Sequence, residues 1–199
     1  MDMELFEDPF EWFDTWMTLA TQRVASDPNA VALGTVDALG NPSVRMVLLK
    51  QWDRRGFVFY TNYESRKGQA LLQTRKAAMT LHWRALERQV RIEGVIEEVE
   101  PEVADAYFDS RSRDSRIGAW ASHQSSVLES RQALVERVAY YEHMFEGKDH
   151  IPRPPHWSGF RLKPLMIEFW AAGDARIHDR VAFSRDYIHQ PWTRQRLNP

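Results

Sequence analysis

The stretch SVRMVLLKQWDRRGFVFYTNYESRKGQALL, residues 43–72, decides how this chain folds. Two strand-like runs, SVRMVLLKQWD (43–53) and FVFYT (57–61), flank the turn signal Arg54-Arg55-Gly56, and a helix follows from Ser65 to Gln73. The two runs are close enough to pair as neighbours in a meander. Working outward, VALGTVD (31–37) and the turn ALGNP (38–42) put another strand before them. AAMTLHWR (77–84) and RQVRIEGVIEEV (88–99) form a hairpin after the helix. Apolar parity changes between Ile92 and Val95, so a bulge is expected at Gly94. Asp8, Pro9 and Glu11 cap an opening helix that runs to about Val24. Pro101 starts a helix to about Ser110, a longer one covers 127–145, and IPRPP (151–155) is a stiff linker. Three late strands are expected at 157–172, 176–185 and 192–198. Consecutive strands with a few helices point to a mainly β, α+β fold: an antiparallel barrel or sandwich with helices packed around it.

Composition narrows the function. The chain has 199 residues, 43% hydrophobic, which is enough for one full-sized core. A net charge of -2 argues against bulk attraction to nucleic acid or an anionic membrane, so any anion must be held by local clusters. With no Cys, disulfides and thiolate chemistry are excluded. MDMELFEDPFEW lacks the basic and apolar regions of a signal peptide, and no apolar run is long enough to span a membrane. The expectation is a soluble cytoplasmic protein. There is no Rossmann or P-loop glycine pattern and no HExxH or similar metal spacing.

The candidate chemistry lies in clusters that ask for anions. Ser65 is a good helix cap, and Arg66-Lys67 then stand in the first turn, where the helix dipole favours acids. Two readings stand: solvated surface cations, or a seat in which helix and cations share one phosphate. In SVRMVLLK, Arg45 and Lys50 point to opposite faces of a regular strand, so one ligand meets both only if the strand bends. Tyr107, Arg111 and Ser115 share a face if their helix continues, and offer three donors to a second phosphate. Arg176, His178 and Arg180 share one face of an expected strand, where they repel unless an anion or acid neutralises them. A bound phosphorylated cofactor, with the protein supplying orientation and charge, fits these clusters best.

The runs RMVLLK, FYTNYESRKGQALL, LERQVRIEG, YFDSRSRDSRIGAWASHQS and EFWAAGDARIHDR, with the closing RLNP, resemble the pyridoxamine 5′-phosphate oxidase family in order and spacing. The resemblance covers about Asp8 to Pro199. It implies an FMN-binding split β-barrel, one domain over 1–199, with the strands from 157–199 completing a dimerisation and active-site region. It implies a homodimer with interfacial active sites. The activity implied is FMN-dependent oxidation of pyridoxamine or pyridoxine 5′-phosphate to pyridoxal 5′-phosphate by O2, releasing H2O2 and, from the amine, ammonia. By motif, Arg45, Met46, Val47, Leu48, Leu49 and Lys50 would contact FMN, as would Tyr60, Thr61, Arg66 and Lys67. Gln124, Ser125, Trp170 and Arg180 would complete its shell, with Gln89 reaching across from the partner subunit. Lys50, Tyr107, Arg111 and Ser115 resemble the seat of the substrate phosphate. Arg176 and His178 resemble the catalytic pair that binds the substrate and holds its pyridine ring against the flavin. Arg176 would orient and assist electrostatically, since a guanidinium does not deprotonate in proteins.

This chain departs from the family pattern at Ala171, where Gln usually follows the Trp, and at Ser112, where Pro is common. The first implies altered flavin tuning or affinity. Little chain precedes the first helix, which implies looser closure over the substrate than in longer relatives. Two other readings carry different functions: a split-barrel flavoenzyme for another substrate, such as a phenazine precursor, or a flavin or pyridoxal-phosphate carrier without turnover.

Overall fold

The computed structural model describes residues 6–199 and arranges nine strands in one antiparallel sheet. The strands are β1 (Ala30–Val36), β2 (Pro42–Leu48), β3 (Gln51–Asp53), β4 (Gly56–Asn62), β5 (Lys76–Trp83), β6 (Arg88–Glu98), β7 (Trp157–Ala171), β8 (Asp179–Ser184) and β9 (Thr193–Arg196). The helices are α1 (Pro9–Arg23), α2 (Arg66–Thr74), α3 (Pro101–Asp109), α4 (Arg113–Ala121) and α5 (Arg131–Met144). The sheet runs β2-β1-β5-β6-β7-β4-β3, with β8 on β7 and β9 on β8. Residues 157–162 of β7 pair with β4 and residues 166–171 with β8, while β6 follows the opposite edge. This long central strand lets the sheet curl into the split barrel. Residues 1–5 of the expected 1–199 domain lie outside the described residues.

Several expectations change here. The run 43–53 is not one strand. It breaks at Leu49-Lys50, where the Leu49 N–H donates to the Asn29 carbonyl and the Lys50 N–H to the Val58 carbonyl, both at 2.9 Å. The chain thus leaves β1 for β4, and the expected meander is split: β2 pairs with β1, while only β3, the end of the run, pairs with β4, whose other neighbour is β7. The break is driven by Leu49, which is buried in the core. It also frees Lys50 from the strand parity that opposed it to Arg45. The helix after Pro101 stops at Asp109, and Ser112 caps a new helix, α4, which the sequence reading passed over. α5 begins at Arg131, four residues later than expected, because Ser130 Oγ accepts from the Ala133 N–H at 3.0 Å. The expected strand from Arg176 starts only at Asp179.

The first helix closes the barrel as its apolar spacing predicts. Trp12 stacks on Phe169 at 4.2 Å, Trp16 meets the same ring edge-on at 5.3 Å, and Phe13 packs against Phe57 at 4.9 Å. Each such buried side chain contributes about 1.5–3 kcal/mol. Among the described residues, no helix is long and apolar enough to cross a membrane. The bulge expected at Gly94 is present as a register shift between Glu93 and Gly94, with Leu165 of β7 as the extra residue. A Cβ on Gly94 would lie 2.1 Å from the Lys163 carbonyl oxygen. Gly94→Ala should therefore push β6 off β7 and cost about 1–3 kcal/mol, the range for overpacking. Urea unfolding would measure it, and an unchanged midpoint would contradict the close approach.

Candidate functional site

The N-terminus of α2 is built as an anion corner. Ser65 is buried, its Oγ accepts from the Gly68 N–H at 3.2 Å and donates to the Asn62 carbonyl at 2.6 Å. Lys67 Nζ donates to Ser65 Oγ at 3.1 Å and to Gln124 Oε1 at 2.6 Å. Arg45 donates to the Leu33 carbonyl at 3.0 Å, to Thr35 Oγ1 at 2.8 Å and to Ser43 Oγ. Neither cation is paired with a carboxylate among the described residues. Burial, with the Arg45 guanidinium nearby, pushes the Lys67 ammonium down to about 8. Burial and then the charge of Arg66 likewise lower Arg45. Hydrogen bonds from Asn41 and Leu39, and then the charge of nearby Arg66, lower the Asp37 carboxyl, so the cations of this corner left without a carboxylate among the described residues are Arg45 and Lys67.

Lys67 opens into a cavity of about 480 Å³. Met46, Val47, Leu48, Lys50, Tyr60 and Thr61 line one side, and Tyr107, Arg111, Ser115 and Gln124 the other. Tyr60 stacks on Tyr107 at 4.0 Å and on Trp157 at 5.4 Å. The Arg111 guanidinium lies over the Trp157 ring at 4.7 Å, and Lys50 Nζ stands 5.9 Å from the Tyr107 ring centre. Tyr60 Oη and Arg111 Nη1 are buried without a hydrogen-bond partner among the described residues. Burial, then the Tyr107 phenol, pushes the Tyr60 phenol up to about 12, so it remains a donor. Two buried donors without acceptors fit an anionic group entering from the cavity.

The cavity thus gathers both expected phosphate seats, although by a different route. Tyr107, Arg111 and Ser115 do not lie on one continuous helix: the break at Ser110–Ser112 puts Ser115 in the first turn of α4. Arg66 and Ser125 line a neighbouring hollow that shares Gln124. Leu49 faces the core instead. The expected Arg176-His178-Arg180 strand face is absent. Arg176 and His178 belong to the turn before β8, and only Arg180 is on the strand, where its Nε donates to Glu168 at 2.8 Å.

Gln89, Trp170, Arg176, His178 and Arg180 do not line the cavity. Register puts His82, Gln89, Trp170 and Arg180 in one row across β5, β6, β7 and β8. The neighbouring row runs Met46, Ala32, Thr80, Arg91, Glu168 and Ala182. Both rows lie on the sheet face away from Leu33, Met79, Ile92 and Ile167 of the core. Gln89 is three strand spacings from β2, roughly 14 Å, and Arg180 five, roughly 24 Å. The same face exposes Val44 (71%) and Met46 (62%) and holds a hollow of about 720 Å³ lined by Gly34, Val44, Ala78 and Met166 among others. Sequence reasoning missed Asn62, Ser122 and Trp157 in the cavity wall. The Asx geometry of Asn62, whose Oδ1 accepts from the Glu64 N–H at 2.7 Å, is legible in Thr-Asn-Tyr-Glu-Ser; nothing local marks Trp157.

Fold and cavity together define a split barrel with two cationic cradles opening on one aromatic-walled cleft. Residues 17–145 match the family model described as pyridoxamine 5′-phosphate oxidase, and residues 157–199 that of the pyridoxine 5′-phosphate oxidase C-terminal dimerisation region. The pyridoxine/pyridoxamine 5′-phosphate oxidase of Bartonella henselae is 55% identical over 199 residues, covering 100% of this chain and 96% of that protein. The protein of the same name from Allorhizobium ampelinum is 55% identical over 192 residues, 96% of this chain and 93% of that one. PhzG from Burkholderia lata, solved with tetrahydrophenazine-1-carboxylic acid, superposes with a TM-score of 0.91 at 33% identity, covering 98% of this chain and 95% of that one. An FMN-binding protein from Nostoc punctiforme shares the fold, with a TM-score of 0.76 at 15% identity and all of both chains covered. The chain belongs to the pyridoxamine 5′-phosphate oxidase family.

The depressed Lys67 ammonium makes a pH prediction for the ligand-free protein. The folded chain sheds this proton near pH 8, whereas the unfolded chain keeps it to about 10.5. Between those values the unfolded state binds more protons, so stability rises with pH. Lys67→Met should remove that rise, leaving the variant's stability relative to wild type falling from pH 8 to 10.5. A constant difference across this window, in denaturant titrations at several pH values, would contradict the assignment.

Proposed function

We propose that this chain oxidises pyridoxamine 5′-phosphate and pyridoxine 5′-phosphate to pyridoxal 5′-phosphate with FMN and O2, as a cytoplasmic homodimer in which 1–199 acts as one FMN-binding unit. The observation that carries this reading is the pairing of two cationic cradles, Lys67 and Arg111, on one cavity, with Arg111 Nη1 and Tyr60 Oη buried and unpartnered. Two phosphates, one from the cofactor and one from the substrate, would satisfy them. The 55% identity to proteins named for this activity supports the same reading.

The residues fit FMN. Arg45, Arg66, Ser65 and Lys67, with the unpaired N–H groups of the α2 N-terminus, would hold its phosphate, and the Arg45–Lys50 segment with Tyr60, Thr61, Gln124 and Ser125 its remainder. Bound there, FMN would supply a two-electron acceptor, with O2 as the final oxidant that is reduced to H2O2. Lys50, Tyr107, Arg111 and Ser115 would hold the substrate phosphate, and a guanidinium stacked on Trp157 is already restrained for that contact. Arg176 and His178 would bind and orient the pyridine ring, with Arg176 a fixed positive charge. Oxidation removes a hydride, two electrons and one proton, from substrate C4′ and a second proton from the oxygen or nitrogen it carries; with the amine, water then replaces nitrogen and ammonia leaves.

Gln89, Trp170, Arg176, His178 and Arg180 stand too far from the cavity of their own chain to take these roles there. A second copy packed on the uncovered sheet face would bring them to it. The apolar exposure of Val44 and Met46 and the match of 157–199 to a dimerisation region support that arrangement. Turnover of a carboxylic acid, as the ligand of the Burkholderia protein suggests, is the second reading. It leaves the Tyr107–Arg111–Ser115 cradle with a smaller anion than it can satisfy.

The direct test is an aerobic assay with FMN-loaded protein, following the aldehyde by absorbance. Product and peroxide should form from both phosphorylated substrates, and an inert holoprotein would sink the proposal. Arg111→Ala should raise KM for these substrates roughly tenfold or more, because a charge-assisted hydrogen bond is worth about 1.5–3 kcal/mol. FMN affinity should change much less. Equal losses in both would count against separate phosphate seats.

A further inference from the structure

The turn between β7 and β8 has a backbone conformation that its own residues disfavour. Ala171 pairs with Asp179 and closes a hairpin. Within it the Ile177 N–H donates to the Asp174 carbonyl at 2.9 Å. The two residues between them, Ala175 and Arg176, have φ of 52° and 65°. Positive φ at both central residues marks a type I′ hairpin turn, which suits the strand twist and is normally occupied by Asn-Gly. Ala and Arg both carry a Cβ that crowds the backbone there. The other left-handed non-glycine residues among those described, Asp27, Arg75, Glu87 and Ser125, occur singly.

The surroundings hold the turn in place. A Cβ on Gly173 would lie 1.9 Å from the Ile177 carbonyl oxygen, so the hairpin closes this tightly only over a glycine. The Gly173 N–H donates to His178 Nδ1 at 3.2 Å, and the His178 ring packs on Trp170 at 4.7 Å. Arg176 itself makes no hydrogen bond or ion pair among the described residues, and its neighbour Ile177 is 71% exposed. The anchors are thus on the flanks, and the strained pair presents an arginine with nothing of its own chain to hold.

We propose that Ala175 is a positioning residue: its left-handed backbone, shared with Arg176, aims the Arg176 guanidinium before substrate arrives. Strain of this kind persists only where the surroundings over-determine it. Its return here is a fixed Cα–Cβ direction at Arg176, so the backbone that carries the guanidinium need not be ordered on binding. The inference rests on the proposed function, in which Arg176 meets the substrate ring.

Ala175→Gly and Ala175→Asn test it in the FMN-loaded protein. Gly permits many backbone conformations, whereas Asn tolerates the left-handed one and stays restricted. Ala175→Gly should raise KM for pyridoxamine 5′-phosphate about fivefold, the cost of ordering one residue's backbone, with kcat within about twofold. Ala175→Asn should keep the wild-type KM and raise the melting temperature by about 2–4 °C. Amide exchange at Ile177 should quicken in the Gly variant and slow in the Asn variant, whether or not the protein turns over. Unchanged KM in the Gly variant, or an equal rise in both variants, would overturn the positioning role. Unchanged exchange in both would overturn the strained turn. A wild-type holoprotein without turnover would instead overturn the proposed function and leave the exchange result standing.

Discussion

Positive charge crowded at the start of α2 is the constraint on which the candidate site depends. A helix N-terminus already carries about half a positive charge, and a cation there is unfavourable by roughly 0.3–1 kcal/mol. This chain adds Arg66 and Lys67 to that end and brings Arg45 close from β2. The protein holds Lys67 only through Ser65 and the amide of Gln124, both neutral partners. Burial then works against the ammonium instead of with it, as its depressed pKa records. Such a corner is tolerable in a marginally stable fold only if something outside the chain repays it. A phosphate dianion would do so with one binding event, reversing the sign of helix, arginine and lysine contributions together.

The same logic extends along the cavity. Arg111 is drawn under the aromatic wall of Trp157 and Phe108, where burial lowers its pKa and one of its N–H groups finds no acceptor. Tyr60 keeps its phenol proton in the same enclosure. Each is a donor kept dry and unanswered, so an anion entering there meets groups already desolvated. The aromatic stack holds the spacing, since Tyr60, Tyr107 and Trp157 lie within 14° of parallel. Rigid walls and unanswered donors are how a fold binds a charged ligand without reorganising.

Much of this was legible in the sequence, and the limits have physical causes. The cap at Ser65, the bulge beside Gly94 and the aromatic face of α1 are local, and local rules found them. The strand break at Leu49-Lys50 was not, because it follows from which partner strand each residue finds; the sequence showed only that Arg45 and Lys50 could not both serve one ligand without a bend. Tyr107, Arg111 and Ser115 were grouped on a helix that in fact ends between them, yet they still converge, because Ser112 caps α4 and returns Ser115 to the same wall. The row reading of Arg176, His178 and Arg180 failed because two of the three lie in a hairpin turn, whose type I′ geometry is hidden when Ala-Arg stands where Asn-Gly is expected. What the family resemblance added was the ligand proposed for them; the demand for anions came from the residues.

Glu168 shows why the second group of residues had to sit apart from the cavity. It lies on the exposed sheet face but is itself buried, gripped by Arg91 at 3.0 Å and Arg180 at 2.8 Å, with Glu93 drawing on Arg91 at 2.7 Å. A charge network costs desolvation energy, which hydrogen bonds must recover. Here they fix Arg180 on β8, and through the register its neighbour Trp170 on β7. Those side chains therefore cannot swing toward the cavity of their own chain. They are held on the same sheet face as Val44, Met46 and a hollow floored by small residues. Arg180 and Trp170, so fixed, belong to β8 and β7, strands within the stretch 157–199 that matches a dimerisation region.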